Sequence, residues 1–285
     1  MKHQNILITG ATDGLGKALA LDLADKGYRL MLHGRDQSRL EEVADQVLTA
    51  NSAAKVSTYL ADFSSLESVR QMAQNILAQE RNLHVLINNA GVGAGQSHEG
   101  RRLSQDGYEL RLQVNYLGAF LLTHSLLPLL KASTHGQEGQ GGPRIVNVAS
   151  VGQRRIDFDN LMLDQGYSGI NAYSQSKLAL IMFSFDLSEQ LEPYGIPVNA
   201  LHPATLMPTK MTLETFGYGM ASIDEGVMAT KRLATGKEGG NITGEYFEGQ
   251  RLAKANAQAY DTTARQKLKT ISMKLVGLQP VPSTF

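Results

Sequence analysis

A single-domain, three-layer α/β/α fold on a doubly wound parallel sheet is what the sequence predicts, from three observations. Short apolar runs alternate with longer amphipathic segments; the runs are continuous rather than alternating, as strands covered on both faces are; and a glycine-rich turn separates the first run from the first helical segment. The predicted strands are Asn5 to Thr9, Leu30 to His33, Val56 to Leu60, Val85 to Ile87, Arg144 to Val148 and Val198 to Leu201, with helices between them. Strand followed by helix, many times over, builds a parallel sheet with helices on both faces. At 285 residues the chain is long enough for one large core, and without internal repeat or linker the domain is expected to span residues 1–285.

Three stretches fall outside this rhythm. Ser133 to Pro143 is polar and rich in glycine, as a solvated loop is. Gly152 to Ile170 and Thr205 to Glu225 leave the carboxyl ends of strands, where open α/β sheets bind ligands, so lips around a substrate are expected near 152–170 and 205–225. The tail from Ala253 to Leu278, with much Ala, Gln and Lys, reads as a helix.

Composition narrows the partners. Lys+Arg 27 against Asp+Glu 27 leaves no net charge, so no overall field draws the chain to nucleic acid or to an anionic membrane. The absence of Cys removes disulfides, thiolate nucleophiles and Cys-based metal sites. The seven His form no His-Glu-x-x-His run, and no metal is expected. The start of the chain lacks a secretory apolar region, and the apolar stretch Leu117 to Leu130 is broken by Gly118, Thr123, His124, Ser125 and Pro128. A cytoplasmic protein without a membrane span is expected.

The turn Thr9-Gly10-Ala11-Thr12-Asp13-Gly14-Leu15-Gly16 lies between the first strand and the first helix. A tight turn there needs residues tolerant of positive φ, and a pyrophosphate must approach bare backbone at a helix start whose N–H groups favour an anion. Gly10, Gly14 and Gly16 meet those needs, with Thr12, Asp13 and Leu15 beside them; a plain turn is the alternative. At the end of the second strand, where an acidic residue would bind the ribose hydroxyls of NAD, stand Gly34 and Arg35. Glycine cannot repel a 2′-phosphate and a guanidinium suits one, so NADP(H) is favoured over NAD(H); pairing of Arg35 with Asp36 is the alternative.

Of the ten Tyr, only Tyr173 has a lysine four residues later, Lys177, one turn along the same helix face. A phenol of reference pKa about 10 works as an acid or base near neutrality only if that value falls; one ammonium at about 4 Å, with an effective dielectric of about 20, supplies roughly 4 kcal/mol, near three pKa units. Ser150 follows the strand Arg144 to Val148, and Asn88-Asn89-Ala90-Gly91 ends another strand at the same edge.

With these motifs the chain resembles the short-chain dehydrogenase/reductase family over nearly its whole length. TGATDGLG, Asp62, NNAG, Asn115, Ser150, YSQSK and His202-Pro203 all occur in the family's order. The resemblance implies a Rossmann fold and an NADP-dependent enzyme that moves a hydride between nicotinamide and a carbonyl or alcohol. It implies that Tyr173 exchanges the proton, Ser150 hydrogen-bonds the same oxygen, Lys177 holds the ribose and lowers the tyrosine pKa, and Asn115 positions a relay water. It implies further that Asp62 meets the adenine, that Phe63, Asn89, Ala90 and Gly91 line the adenosine site, and that Pro203 to Leu206 touch the nicotinamide end. Each residue has a plainer role open to it: Asn115 as a partner for backbone groups, Asp62 as a helix cap, Ser150 as a turn residue. DFSSLESVR, LHVLINNAG, VNYLGAFLLT and YFEGQ resemble the retinol-dehydrogenase-like and protochlorophyllide-reductase-like branch, whose eukaryotic members often begin with a membrane anchor. Ala204 departs from the glycine usual after that proline, and the Ser150 to Tyr173 spacing is long; both bear on the substrate. Leu161, Met162, Leu206, Met207, Met211 and Phe216 suggest a small or lipophilic ketone or aldehyde. Family habit implies a homodimer or homotetramer, with a monomer left open by the C-terminal helix. The competing reading is a non-catalytic NADP(H)-binding sensor or interaction protein.

Overall fold

A computed structural model describes residues 4–96, 100–134 and 142–279. Eight strands form one sheet in the order β3-β2-β1-β4-β5-β6-β7-β8. The strands are β1 (Asn5–Ile8), β2 (Arg29–Gly34), β3 (Lys55–Leu60), β4 (Val85–Asn88), β5 (Arg144–Val148), β6 (Val198–His202), β7 (Tyr246–Glu248) and β8 (Arg251–Ala253). All neighbours pair in parallel except β7 and β8, which are antiparallel. The central strands β1, β4, β5 and β6 are buried almost residue for residue, which is why they read as largely apolar runs, broken only by buried polar residues such as Asn147 and Asn199.

The helices are α1 (Gly14–Ala24), α2 (Gln37–Ala50), α3 (Leu66–Gln79), α4 (Leu110–Leu112), α5 (Gly118–Ala132), α6 (Gly169–Leu191), α7 (Lys210–Phe216), α8 (Ile223–Ala234) and α9 (Thr262–Leu275). They bury two cores, one on each face of the sheet: α1, α2 and α8 pack on one, and α3, α5, α6 and α9 on the other. Strand order reverses between β1 and β4, and at such a switch point the loops diverge and leave a crevice at the carboxyl edge. Between α4 and α5 the chain makes a π turn, Gln113–Leu117, which carries Asn115.

Two sequence expectations change. β7 and β8 were not anticipated, and the tail is not one helix from Ala253: β8 ends at Ala253, a 3₁₀ turn spans Ala257–Tyr260, and α9 begins at Thr262 behind the Asp261 cap. Three-residue strands are too short to show a period. Of the expected loop Ser133 to Pro143, residues 135–141 lie outside the described residues.

Candidate active site

A cleft of about 620 Å³ runs along the carboxyl edge from the end of β2 to the end of β6. Its floor begins at the glycine turn, where Gly10 and Gly14 have φ of +66° and +49°, a conformation that a Cβ disfavours. His33, at the end of β2, ties the turn down. The Gly10 N–H donates to His33 Nδ1 at 3.1 Å, so the ring proton sits on Nε2, which donates to the Ala61 carbonyl at 3.1 Å. Burial drops the His33 pKa to about 4, leaving the ring neutral as this bonding requires. Asn89 completes the fastening with bonds from Nδ2 to the carbonyls of Thr9 and Gly10 at 2.9 and 3.1 Å. Gly16 does not face the cleft; a Cβ there would stand 2.2 Å from the Gly10 carbonyl oxygen, so its smallness lets α1 close against the turn.

The far end is lined by Arg35, Arg39, Asp13 and Asp62. A Cβ on Gly34 would come within 2.4 Å of Thr12 Cγ2, so the strand tip has no room for a carboxylate. Arg35 is exposed on the wall and, among the described residues, has no carboxylate partner within salt-bridge distance, so the expected alternative of pairing with Asp36 is not what the structure shows. Asp36 instead caps α2, accepting from the Arg39 N–H at 3.0 Å. The Arg39 guanidinium, which the sequence reading missed, turns back to Asp13 at 3.1 Å and lines the same wall. A cation in the first turn of a helix opposes the helix dipole, and that misplacement was the available signal. Phe63 stacks on His33 with centroids 4.5 Å apart, and Asp62 caps its own loop by accepting from the Ser64 N–H at 2.9 Å. Both line the cleft with Thr12, Asp13, Leu15, Ala90 and Gly91.

At the other end stand Ser150, Tyr173 and Lys177, with Pro203 and Leu206 opposite. Tyr173 and Lys177 are placed by the second and third turns of α6, and Ser150 by the turn after β5, where its Oγ accepts from the Gly152 N–H at 3.0 Å. The Ser150 hydroxyl and the Tyr173 ring both stand against Gly152, 3.4 and 3.7 Å from where a Cβ would sit, and the Tyr246 hydroxyl donates to the Ser150 carbonyl at 3.1 Å. Leu206 has φ +48°, a strained backbone for a leucine, of the kind that collects at functional sites.

The electrostatics correct one expectation. Lys177 does not bring Tyr173 down: burial holds the phenol above its ordinary value, and only the Ser150 hydroxyl opposes the rise. The reason is geometric. Lys177 Nζ donates to the Val148 carbonyl at 2.8 Å and stands 5.8 Å from the Tyr173 ring centroid, while burial lowers its own pKa to about 8. Asn115 is likewise not on the cleft wall. Its side chain accepts from the Val92 N–H at 2.7 Å and donates to the Val92 carbonyl at 3.1 Å and to Ser176 Oγ at 2.9 Å, knitting the NNAG loop to α6 beneath the site. Of the six apolar residues suggested for a substrate, Leu206, Met207 and Met211 line the cleft, whereas Leu161 is part of the core and Met162 packs against it. A cavity of similar volume, about 660 Å³, between residues 154–159 and α9 mixes cations with carboxylates and contains none of these reactive groups. Among the described residues no cluster of three or more His, Asp or Glu could hold a metal ion, and no helix is long and apolar enough to cross a membrane.

The fold and this cleft are those of a dehydrogenase family, as comparison with known proteins shows. Residues 4–216 match the short chain dehydrogenase family. Human retinol dehydrogenase 11 is 34% identical over 283 residues, covering 96% of this chain and 86% of that protein. Mouse retinol dehydrogenase 13 is 33% identical, covering 96% and 84%. Among solved structures, the Pseudomonas aeruginosa RhlG/NADP active-site complex superposes with a TM-score of 0.69 at 26% identity, over 86% of this chain and 94% of that one. The chain belongs to the short-chain dehydrogenase/reductase family, and its curated relatives carry the name retinol dehydrogenase.

Proposed function

We propose that the protein is an NADPH-dependent reductase of aldehydes or ketones, with Ser150, Tyr173 and Lys177 as its catalytic residues. The observation that carries this reading is the convergence of Ser150, Tyr173 and Lys177 at one end of a continuous cleft whose other end presents the Arg35 guanidinium. The residues present fit the cofactor: Gly10 and Gly14 leave bare backbone at the turn, Asp13 caps α1 through the Gly14 N–H alone at 2.7 Å, and the cleft is continuous from Arg35 to Tyr173. Gly10, Thr12, Asp13, Gly14 and Leu15 would cradle the pyrophosphate; Asp62, Phe63, Asn89, Ala90 and Gly91 the adenosine; and Pro203 and Leu206 the nicotinamide end. Arg35, aided by Arg39, would hold the 2′-phosphate, which is the basis for NADP over NAD.

The bound cofactor supplies the hydride. Ser150 donates a hydrogen bond to the carbonyl oxygen and Tyr173 gives that oxygen its proton. Burial keeps Tyr173 a neutral phenol, so it carries the proton that reduction of a carbonyl consumes. Lys177 holds the cofactor ribose, and Asn115 acts as a positioning residue through Val92 and Ser176. The segment 205–225 forms one lip, and of the segment 152–170 Gly152 and Ile170 reach the cleft. Val151, Ile170, Leu206, Met207 and Met211 make the substrate end apolar, which with the relatives' name points to a lipophilic carbonyl. Because α9 lies along α6, joined by Arg265–Glu189 at 2.7 Å, one face that a partner subunit could use is already covered, and the monomer is favoured over the dimer or tetramer of family habit. A cytoplasmic setting goes with this reading.

The test is a panel of aliphatic and aromatic aldehydes and ketones with NADPH, followed by loss of cofactor absorbance. Turnover of at least one lipophilic carbonyl is expected; tight NADPH binding without turnover of any would mark a cofactor-binding sensor instead.

A further inference from the structure

Behind the cleft lies a buried ion pair that the proposed chemistry does not use. Arg111 and Glu109 have side chains only 4% and 1% exposed and stand 3.5 Å apart, on and just before α4. Burying such a pair is costly, and apolar substitutes are often at least as stable, so stability alone gives little reason for it. The bonds of Arg111 supply one. Its Nε donates to the Gly93 carbonyl at 2.8 Å, Nη2 to the Ala94 carbonyl at 2.5 Å and Nη1 to the Tyr167 hydroxyl at 2.6 Å. Gly93 and Ala94 line the cleft, and Tyr167 lies in the 152–170 segment two residues ahead of α6, the helix that bears Tyr173.

We propose that Arg111 is a positioning residue that fastens the 152–170 lip to the Gly93–Ala94 edge at Tyr167, holding fixed the side of the substrate site that Gly93, Ala94 and Ile170 line. The inference rests on the reading of this cleft as a carbonyl-reductase site. Contact at the seam is close: a Cβ on Gly169 would stand 2.1 Å from the Ala94 carbonyl oxygen. Burial holds the Tyr167 phenol above its ordinary pKa, so it stays a neutral hydroxyl that accepts from Arg111. A second arginine repeats the device. Arg101 Nε donates to the Met162 carbonyl at 2.8 Å, and its Nη2 pairs with Asp164 at 2.8 Å. Leu163, between those two anchors, has φ +51°, a strained conformation that persists only where its surroundings impose it. From α6, Gln175 Nε2 donates to the Leu161 carbonyl at 2.8 Å. The opposite lip differs: its backbone bonds at Met220–Leu206 and Ala221–Thr205 close it upon itself.

The test is hydrogen exchange on the full chain, with and without NADPH, together with kinetics using 4-nitrobenzaldehyde as probe. Tyr167→Phe removes one bond and leaves the ion pair intact; Arg111→Lys keeps the charge opposite Glu109 but loses the planar fork. In both variants exchange should quicken in peptides covering residues 160–168 while peptides from β1, β4 and β5 keep wild-type protection. The KM for the aldehyde should rise roughly five- to tenfold and the KM for NADPH should change less than about twofold, the larger loss falling to Arg111→Lys. Unchanged exchange at 160–168 in both variants, or acceleration spread evenly over the sheet, would overturn the proposal. If wild-type protein reduces no carbonyl, the reductase reading fails separately, and the exchange data alone decide whether Arg111 fastens the lip.

Discussion

Replacing Arg35 by alanine should weaken NADPH and leave NADH almost untouched. The magnitude follows from exposure. A charge-assisted bond to a phosphate contributes about 1.5–3 kcal/mol when sheltered; Arg35 lies on the open wall, so solvent screening cuts this to about 1 kcal/mol, or roughly a fivefold rise in the KM for NADPH. Arg39 is already engaged by Asp13 at 3.1 Å, so a phosphate competes with a carboxylate for it, and Arg39→Ala should cost only about two- to threefold. The double variant should lose more than about tenfold, because no cation then remains beside the strand tip. The assay is the ratio of KM for NADPH to KM for NADH on one substrate, at low and at high salt. Salt should raise the wild-type NADPH value and flatten the difference between variants. Equal shifts for the two cofactors would refute the assignment of these arginines to the 2′-phosphate.

Two further outcomes follow from buried titrating groups. His33, near pKa 4 when folded against 6.5 when free, binds its proton more weakly in the native state, so stability should be full above pH 6.5 and fall as pH drops to about 4. The His33 share amounts to about 3 kcal/mol at most, and urea unfolding across the interval should show the slope partly flattened in His33→Gln, with His84, His124 and His202, also lowered by burial, contributing the remainder. An unaltered slope in the variant would show that His33 does not titrate as its surroundings imply. Lys177, near pKa 8 in the free protein, carries its ammonium below that pH and loses it above. NADPH affinity, read by fluorescence titration, should therefore weaken several-fold as pH rises from about 7 to about 9; a flat profile would remove Lys177 from the cofactor site.

Much of the fold was legible in the chain. β1 and β4 to β6 stand out because strands covered on both sides contain little but apolar residues, and the turn from Thr9 to Gly16 is marked by positions where a Cβ either strains the backbone or collides with it. β7 and β8 were hidden by their length, and the break in the tail by turn residues, Asn256 and Asp261, whose capping role shows only once their neighbours are in place. At the site, spacing along α6 puts Tyr173 and Lys177 on one face but does not fix where Nζ points. The Val148 carbonyl, remote in sequence, decides that. The same limit hid Arg39 and Arg111, whose partners lie on other loops, and made Asn115 look like a cleft residue when its three bonds place it beneath the floor.

The sharpest trial of the reductase reading is single-turnover oxidation of bound NADPH by a reactive aldehyde in Tyr173→Phe beside wild type. The substitution removes one hydroxyl from a site held by many other contacts, so cofactor affinity should stay within about twofold while the rate of turnover falls by roughly two to four orders of magnitude. A variant that reduces the aldehyde at close to the wild-type rate would show that the proton comes from elsewhere, and the catalytic assignment would be wrong.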